Sequence, residues 1–330
     1  MKILFHNNQL DVRGTTVAIT DYARYNQEVL GNESVICYDA SLRQGGYRGE
    51  DPGVLDRLSK EFKVIPHQGL EDIKKIIDIE QIDYAYFLRS GNVDFLPNNC
   101  KTGVHAVFQN YHPHGNQYAY VSEWLADTMA KSNGLTSMPW VPHIVKLPSP
   151  TGNFRTELGI QPDQFVIGRH GGRYSFDIPF VKQAIYDLLN SRNDIVFVFA
   201  GTEPWINHPN VKFLNDVQDL QSKSNLINTW DAMLHARSDG ESFGLAICEA
   251  LYLNKPVLAW ENGNDLHHTM ILENSQTLYN EENIFEKLMN VRDLVGKEDW
   301  TKRVAKFAPD QVMKKFDEVF LKGNISHDKS

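Results

Sequence analysis

Short apolar runs alternate with helical patterns along the whole chain of 330 residues. Short apolar runs bounded by turn residues are typical of buried parallel strands, whereas apolar residues that recur every three or four positions are typical of helices. Regular alternation of the two patterns is the signature of βαβ units. The sequence therefore predicts an α/β protein built on parallel sheets.

The first half of the chain predicts a series of strands and two clear helices. A helix from about Thr15 to Leu30 follows the first strand, and a second helix runs from about Ser122 to Lys131. Ser122 is predicted to cap the second helix, because a serine hydroxyl can accept from a free amide of the first turn. The predicted strands are Ile3–His6, Ser34–Tyr38, Lys63–Pro66, Tyr84–Leu88, Gly103–Phe108, Tyr118–Val121 and Trp140–Val145.

The second half repeats the cycle after a break at residues 147–152, where two prolines and a glycine predict a linker. Asp177 is predicted to cap the helix that follows the first strand of this half. A helix is also predicted over Phe243–Leu253, and the tail Asp310–Leu321 reads as an amphipathic helix. The predicted strands are Phe165–Gly168, Ile195–Ala200, Val211–Leu214, Met233–Ala236 and Pro256–Trp260.

Chain length favours two domains, because a single hydrophobic core stops growing at roughly 250–300 residues. The mid-chain linker places the boundary, so we expect domains at residues 1–146 and 150–305, followed by a C-terminal helix and tail at 306–330. Apolar residues make up 42% of the chain and charged residues 23%, which is ordinary for a globular protein.

Charge and cysteine content narrow the class of protein. A formal net charge of −9 argues against a nucleic-acid binder, whose footprint would be basic. The three cysteines, Cys37, Cys100 and Cys248, lie far apart in no CxxC spacing, so we expect reduced thiols and a cytoplasmic protein. The N-terminus lacks the apolar stretch of a signal peptide, and no apolar run is long enough to predict a transmembrane segment.

The segment Asp239–Leu251 is the most informative for chemistry. A loop ends near Phe243 or Gly244, and an apolar helix begins there. The first amides of a helix have no intrahelical partner and carry the positive end of its dipole, so they favour an anion such as a diphosphate. Gly244 would let a phosphate approach the backbone closely.

Glu249 is the one charged residue in this otherwise apolar helix. The helix is predicted to be buried, and a buried carboxylate needs charge partners or hydrogen-bond donors. Ribose hydroxyls of a bound nucleotide could provide donors, and so could a structural ion pair with an arginine. A second carboxylate at Glu241, in the loop before the helix, shifts the balance towards a ligand site.

The segment resembles a known family at this point. Two glutamates separated by seven residues, with Phe-Gly-Leu after the first, are similar to the donor-site motif of retaining GT-B glycosyltransferases. Residues 253–258 (LNKPVL), 198–201 (VFAG) and 210–214 (NVKFL) are similar to further elements of that family. Ile167-Gly168-Arg169 with Arg173 resembles its Gly-Arg…Lys element, Gly14-Thr15 its first glycine turn, and Val104-His105 its strand-end histidine.

The resemblance implies a GT-B architecture with two Rossmann-like domains facing a cleft and a C-terminal helix that crosses back to the first domain. The N-terminal domain would bind the acceptor and the second domain a nucleotide-diphosphate sugar. The implied reaction is hexosyl transfer with retention to an unspecified glycan, lipid-linked or small-molecule acceptor. No metal and no cofactor are expected, in agreement with the lack of an Asp-x-Asp pair in the sequence.

The resemblance also assigns roles to individual residues. Glu241 would contact the donor sugar and Glu249 the ribose, while Arg169 and Arg173 would stabilise the leaving diphosphate together with the amides of Gly244 and Leu245. Preorganised positive charge is what a departing phosphate requires. The full set of implied site residues is Glu241, His105, Arg169 and Arg173 for catalysis and Glu249, Ser242, Phe243, Gly244, Leu245, Gly14 and Thr15 for binding.

Three features depart from the family pattern. The second cation is an arginine and lies four residues after Arg169, where five is usual in the family. The stretch His235-Ala236-Arg237 replaces the family's Leu-Pro-Ser, and the N-terminal glycine pair is reduced to Arg13-Gly14. These departures bear on the diphosphate geometry and on the acceptor site.

Two other functions fit parts of the sequence. Gly240–Gly244 also matches Gly-x-Ser-x-Gly, the nucleophile elbow of serine hydrolases, with Ser242 as nucleophile and His170-Gly171-Gly172 as an oxyanion-hole motif. The base and acid would be His267 or His268 and Asp265, in a cramped arrangement. A sugar-nucleotide binder or epimerase with the same fold is the third possibility. The pairs His112/His114 and His267/His268 lack the companions that a metal site needs, so we expect loop histidines.

Overall fold

The computed structural model describes residues 1–11, 13–41, 43–44, 47–48, 50–217, 219–273 and 276–323. The chain divides into two compact units: unit 1 is Met1–Ile144 with Phe307–Ser330, and unit 2 is Val145–Lys306. Each unit contains a six-stranded sheet whose neighbouring strands are all parallel. The predicted α/β class with two parallel sheets is confirmed. The end of the predicted tail, residues 324–330, lies outside the described residues.

Unit 1 begins with β1 (Lys2–Asn7), α1 (Gly14–Glu28) and β2 (Glu33–Asp39). A short antiparallel pair, β3 (Arg43–Gln44) and β4 (Tyr47–Arg48), follows. The remaining elements are α2 (Pro52–Ser59), β5 (Lys63–His67), α3 (Leu70–Glu80), β6 (Tyr84–Arg89), β7 (Lys101–Ala106), β8 (Gln117–Tyr120) and α4 (Glu123–Ser132). The strand order is β5-β2-β1-β6-β7-β8, so the chain reverses its direction of winding between β1 and β6.

Local sequence explains where these helices begin. The Ser122 hydroxyl accepts from the Leu125 amide at 3.2 Å, which confirms the predicted cap of α4. The Asp51 carboxylate does the same for α2, where it accepts from the amides of Gly53 and Val54.

The predicted strand Trp140–Val145 is wrong. Within the described ranges its only sheet contact is an isolated bridge between Tyr120 and Trp140, and the segment has no regular secondary structure. Pro142 has no backbone N–H and so cannot donate to a ladder of hydrogen bonds. The apolar side chains that suggested a strand are nevertheless buried, Val141, Ile144 and Val145 among them.

The C-terminal segment packs on unit 1. It consists of α10 (Pro309–Phe316) followed by a π-helical turn over Asp317–Leu321. The Phe316 ring lies 5.2 Å from that of Tyr86 and 5.4 Å from that of Tyr22, centroid to centroid. The predicted amphipathic tail helix and its return to the first unit are therefore confirmed.

Unit 2 repeats the βα alternation around a second sheet. Its strands are β9 (Phe165–His170), β10 (Ile195–Ala200), β11 (Val211–Leu214), β12 (Ala232–His235), β13 (Gly240–Glu241), β14 (Val257–Trp260), β15 (Asp265–Leu266) and β16 (Leu278–Tyr279). The strand order of the sheet in unit 2 is β11-β10-β9-β12-β14-β16, with the reversal of winding between β9 and β12. The helices of unit 2 are α5 (Pro179–Ser191), α6 (Leu220–Thr229), α7 (Leu245–Tyr252), α8 (His267–Leu272) and α9 (Ile284–Met289), followed by short 3₁₀ turns.

The core of unit 2 forms around β10, in which every residue is buried. The predicted cap at Asp177 is wrong, because α5 begins at Pro179 after Ile178. Proline suits the first helical position, since it has no amide that needs a partner there. The Asp177 carboxylate instead accepts from the amide and the hydroxyl of Ser238, at 2.8 and 2.7 Å.

Candidate functional site

The carboxyl edge of the unit 2 sheet gathers most of the predicted site residues. β9 ends with Arg169 and His170, and β12 ends with His235. These two strands flank the reversal of winding, where ligands of open α/β sheets bind. The loop that follows β12 leads into Glu241 and then into α7.

Arg169 is a buried cation, with 3% of the residue exposed. Its Nη2 donates to the Gly172 carbonyl at 2.8 Å and to the Ser175 hydroxyl at 2.7 Å, and its Nη1 donates to the Thr202 hydroxyl. Burial lowers the pKa of Arg169 to about 10, although the nearby carboxylate of Glu241 opposes this shift. The guanidinium is thus held rigidly and lacks a directly bonded carboxylate in the described part of the chain.

Arg173 differs from Arg169 in both exposure and partner. Its side chain is 58% exposed and forms an ion pair with Glu203. The two segments are also joined by a backbone hydrogen bond from the Glu203 amide to the Arg173 carbonyl. Of the two predicted cations, the structure places only Arg169 in a buried position.

Glu241 is held by two side chains that sequence reasoning did not assign to the site. The His235 Nε2 lies 2.9 Å from one carboxylate oxygen, and the Arg237 Nη1 donates to the other at 3.2 Å. Burial alone would raise the pKa of Glu241, but the hydrogen bond from His235 and the charge of Arg237 outweigh it and lower the pKa. His235 and Arg237 are the residues that depart from the family pattern in the sequence.

The N-terminus of α7 follows directly. Gly244 adopts a left-handed conformation with φ of +92° and serves as the N-cap, so the helix begins at Leu245. Only at Cys248 does an amide first bond within the helix, to the Gly244 carbonyl at 3.0 Å. The preceding amides of the first turn are therefore positioned as orphan donors.

Phe243 and Ser242 lead into this turn. Phe243 is buried, and its ring stacks on that of His267, whose Nδ1 donates to the Phe243 carbonyl at 2.8 Å. The Ser242 hydroxyl is partly exposed and makes no hydrogen bond within the described ranges. Phe243 thus anchors the loop through its ring and its carbonyl, while Ser242 lies just before the helix start.

Glu249 lies one turn into α7 and is 4% exposed. The Lys223 Nζ donates to one of its oxygens at 2.7 Å, and the His170 Nε2 lies 3.1 Å from the other. Burial would raise the pKa of Glu249, but the charge of Lys223 and the contact with His170 reverse this effect and lower the pKa to about 2. The ion pair considered from the sequence exists, with a lysine and a histidine where an arginine was expected.

Three of the predicted site residues lie in unit 1. Gly14 and Thr15 are the first residues of α1, directly after the loop that leaves β1. His105 is fully buried, and its Nδ1 lies 2.5 Å from the Tyr86 hydroxyl. Burial lowers the pKa of His105 to about 3. Its ring also packs edge-on against Phe320 of the C-terminal segment, so its geometry is that of a core residue, and its catalytic role stays a prediction.

The histidines of the alternative functions bind backbone groups. The His268 Nε2 lies 2.7 Å from the Trp260 carbonyl, and the His267 Nδ1 donates to the Phe243 carbonyl. The His114 Nδ1 bonds the His112 carbonyl at 2.6 Å. Among the residues that the structure describes, no three His, Cys, Asp or Glu side chains are grouped as a metal site would require.

Cysteines and helices bear on two further expectations. The thiols of Cys37, Cys100 and Cys248 are free. In the described ranges no helix has both the length and the apolar character needed to cross a membrane. The cytoplasmic location stays a prediction.

Comparison with known proteins places the fold. No family model and no curated protein matches the sequence. A glycosyltransferase from Rickettsia africae ESF-5 is 15% identical with a TM-score of 0.64, and the match covers 98% of this chain and 96% of that chain. Anabaena Alr3699/HepE, solved in complex with UDP-glucose, is 14% identical with a TM-score of 0.70 over 98% of this chain and 100% of its own.

WaaG, a glycosyltransferase involved in lipopolysaccharide biosynthesis, is 12% identical with a TM-score of 0.61 over 96% of this chain and 99% of its own. These matches run the full length of the chain and include both sheets. The chain has the GT-B fold. At such low identity the comparisons establish the GT-B fold, and the chemistry depends on the residues that the fold brings together.

Proposed function

We propose that this chain is a glycosyltransferase that moves a sugar from a nucleotide-diphosphate sugar to an acceptor. The observation that carries the proposal is the carboxyl edge of the unit 2 sheet. This edge, at the reversal of winding, carries the buried guanidinium of Arg169 and the N-terminus of α7. It also carries two carboxylates, those of Glu241 and Glu249. The similarity to solved glycosyltransferases over the whole length supports the same function.

The donor diphosphate is proposed to bind Arg169 and the first amides of α7. Arg169 is fixed by three hydrogen bonds, so little ordering remains when a phosphate arrives. Arg173 is proposed as the second cation. Its exposed side chain would exchange the Glu203 carboxylate for a phosphate oxygen, and both anions suit the planar donor fork of an arginine.

The ribose and the transferred sugar are proposed to bind the two glutamates. An ionised carboxylate offers about four acceptor positions. Lys223 occupies one of those of Glu249, and the His170 Nε2 lies 3.1 Å from its other oxygen. The remaining positions suit the donor hydroxyls of a ribose. Glu241 is proposed to bind hydroxyls of the sugar, with His235 and Arg237 holding its carboxylate ionised and fixed.

The finer features follow the resemblance to the family. Transfer is proposed to proceed with retention of configuration, as hexosyl transfer, and without a metal ion or other cofactor. Unit 1 is proposed to bind the acceptor. Positive charge from Arg169 and the α7 amides then fulfils the role that a metal plays in other transferases, which is to stabilise the departing diphosphate.

Nucleotide-sugar binding tests the proposal directly. UDP-, GDP- and ADP-sugars are screened by thermal shift. A ligand at about 100 times its Kd adds about 2.7 kcal/mol to the free energy of unfolding, so binding is detected as an increase in Tm. We expect one nucleotide class to raise the Tm, and the Glu249→Gln variant to lose most of that increase. The exposed Lys297→Met variant serves as a control with unaltered binding. No Tm increase with any nucleotide sugar would refute the proposal.

Product analysis separates the alternative functions. A transferase supplied with an acceptor forms a glycoside and releases the nucleotide diphosphate, whereas an epimerase converts the donor without such release. A serine hydrolase would lose about a millionfold in rate on Ser242→Ala, while the transferase should keep its activity within about tenfold.

A further inference from the structure

Four neighbouring strands of unit 1 each carry a polar residue on the same face of the sheet, at or next to the carboxyl end of the strand. His6 is the penultimate residue of β1 and lies beside Phe87 of β6, and Asp39 of β2 pairs in register with His67 of β5. Arg89 ends β6, two residues beyond Phe87. Residues two apart on a strand share a face, so these side chains continue the face that carries the apolar core under α3. We call His6, Asp39, His67 and Arg89 the edge cluster.

Hydrogen bonds determine the tautomers of the two histidines in the edge cluster. The Gly69 amide donates to Nδ1 of His67 at 3.1 Å, so a neutral His67 carries its proton on Nε2. That Nε2 lies 2.7 Å from Nε2 of His6, which must then accept. His6 therefore carries its proton on Nδ1. This nitrogen is buried and has no hydrogen-bond partner among the residues that the structure describes.

Arg89 presents a second donor of the same kind. Its side chain is 10% exposed, its Nη1 pairs with the Asp94 carboxylate, and its Nε is buried without a partner in the described ranges. Both Arg89 and His6 pack on the Phe87 ring, with Cζ of the arginine 5.1 Å and the imidazole centroid 5.0 Å from its centre. Two unsatisfied buried N–H groups at one place are costly unless a ligand or water accepts from them.

The location of these donors agrees with a ligand site. His6 lies one residue before the end of β1 and Arg89 ends β6, and these two strands flank the reversal of winding in unit 1. The crevice outside the carboxyl ends of strands at such a reversal is where open α/β sheets bind ligands.

Charge decides which ligand the edge cluster suits. With neutral histidines, the guanidinium of Arg89 faces two carboxylates: Asp94, with which it pairs, and Asp39, whose charge acts on it. The surroundings are therefore net negative and disfavour an anion. A neutral polyol can accept from the two N–H groups and donate its own hydroxyl protons to the two carboxylates.

We propose that the edge cluster binds vicinal hydroxyls of an uncharged carbohydrate, the acceptor of the transfer, through Nδ1 of His6, Nε of Arg89 and the carboxylate of Asp94. The identification of this sugar as the acceptor rests on the proposed function. The sugar-binding site itself rests on the edge cluster and on Asp94, the ion-pair partner of Arg89.

Histidine NMR on the ¹⁵N-histidine-labelled full chain tests the site. We expect the His6 spectrum to show the Nδ1–H form without ligand. Methyl α-glucoside, α-galactoside and α-mannoside are then titrated, each beside its uronate. At least one neutral glycoside should shift the His6 and His67 signals, with an affinity about tenfold or more above that of the matching uronate. Tighter binding of the uronates would overturn the proposal. The absence of any shift with a glycoside would also overturn it, because water would then be the occupant of the site.

Two variants sharpen the test. Arg89→Lys keeps the charge but removes the Nε donor, and it should weaken the glycoside about tenfold or more. Asp94→Asn, at a side chain 43% exposed, should fold normally, weaken the glycoside and improve uronate binding. The exposed Asp56→Asn variant is the matched control and should leave both affinities unchanged. If Asp94→Asn behaves like this control, the assignment fails even where Arg89→Lys does not fold.

A separate measurement distinguishes failure of the inference from failure of the proposed function. The Tm increase with a nucleotide sugar depends on unit 2 and should be the same in the wild type and in Asp94→Asn. Glycoside binding without any nucleotide-sugar binding would refute the transferase and leave the sugar site standing. If the protein binds a nucleotide sugar and transfers its sugar to uronates in preference to neutral glycosides, the transferase stands and the proposed sugar site is refuted.

Discussion

Replacement of Lys223 by methionine probes the buried pair at the centre of unit 2. The Lys223 side chain is 12% exposed and that of Glu249 6%, and the two are joined at 2.7 Å. The variant leaves the Glu249 carboxylate buried with only the His170 contact. Removal of one partner of a buried ion pair costs about 3–5 kcal/mol. For a unit of this size, each kcal/mol lowers the Tm by about 2–4 °C, so a decrease of about 6–20 °C is expected.

The pH dependence of this loss identifies its cause. In the wild type the pKa of Glu249 is lowered to about 2, so its contribution to stability is present above the unfolded pKa of about 4.3 and is lost as pH falls towards 2. In Lys223→Met the carboxylate has lost its cation, and burial favours its protonated form. The variant should therefore recover relative to the wild type as pH falls from 7 to about 4.5.

Urea denaturation followed by far-UV circular dichroism measures both effects. Lys297→Met, at an exposed lysine of the same unit, is the matched control. The double variant Lys223→Met/Glu249→Gln should be more stable than the sum of the single losses predicts, because no charge remains buried. A stability of Lys223→Met within about 1 kcal/mol of the control, or a loss that does not change with pH, would refute the electrostatic account.

Three further predictions concern the site and the pH range. Arg169→Ala and Arg173→Ala should each weaken free nucleotide diphosphate about tenfold or more in calorimetry; unchanged affinity in both would exclude the clamp. Glu241→Gln should leave nucleotide affinity nearly intact and lower transfer in a product assay, whereas Ser242→Ala should stay within about tenfold. Because burial lowers the pKa of three histidines to about 3 or 4, below their unfolded value of about 6.5, stability should be complete above pH 6.5 and decrease towards pH 4, by on the order of 2 kcal/mol per histidine at pH 5 in denaturant titrations. These histidines are His105, with a pKa of about 3, and His267 and His268, with pKa values of about 4.

The local sequence predicted helices and strands correctly where the apolar pattern of a segment matches the way its side chains pack in the fold. The all-apolar run Ile195–Ala200 became a central strand, and Ser122 became a cap, because each depends on residues that are neighbours in the chain. The strand prediction failed at Trp140–Val145, where apolar side chains are buried without the hydrogen-bond ladder of a sheet. The cap prediction failed at Asp177, whose carboxylate accepts a hydrogen bond from Ser238, sixty-one residues away in the chain. A carboxylate can cap a helix or bind a distant loop, and the sequence does not distinguish the two.

The candidate site divides in the same way. The sequence by itself determined that a carboxylate at Glu249 would be buried in an apolar helix and that this helix would begin near Phe243 or Gly244, because both follow from the local pattern. Only the tertiary structure decided that Lys223 and His170 compensate the charge of Glu249, and that His235 and Arg237 hold Glu241. It also decided that His6 and Arg89, eighty-three residues apart in the chain, lie at the carboxyl ends of adjacent strands. Side chains far apart in sequence come close together where parallel strands end at one edge of a sheet. Strand order decides which strand ends are neighbours, and strand order is a property of the folded sheet.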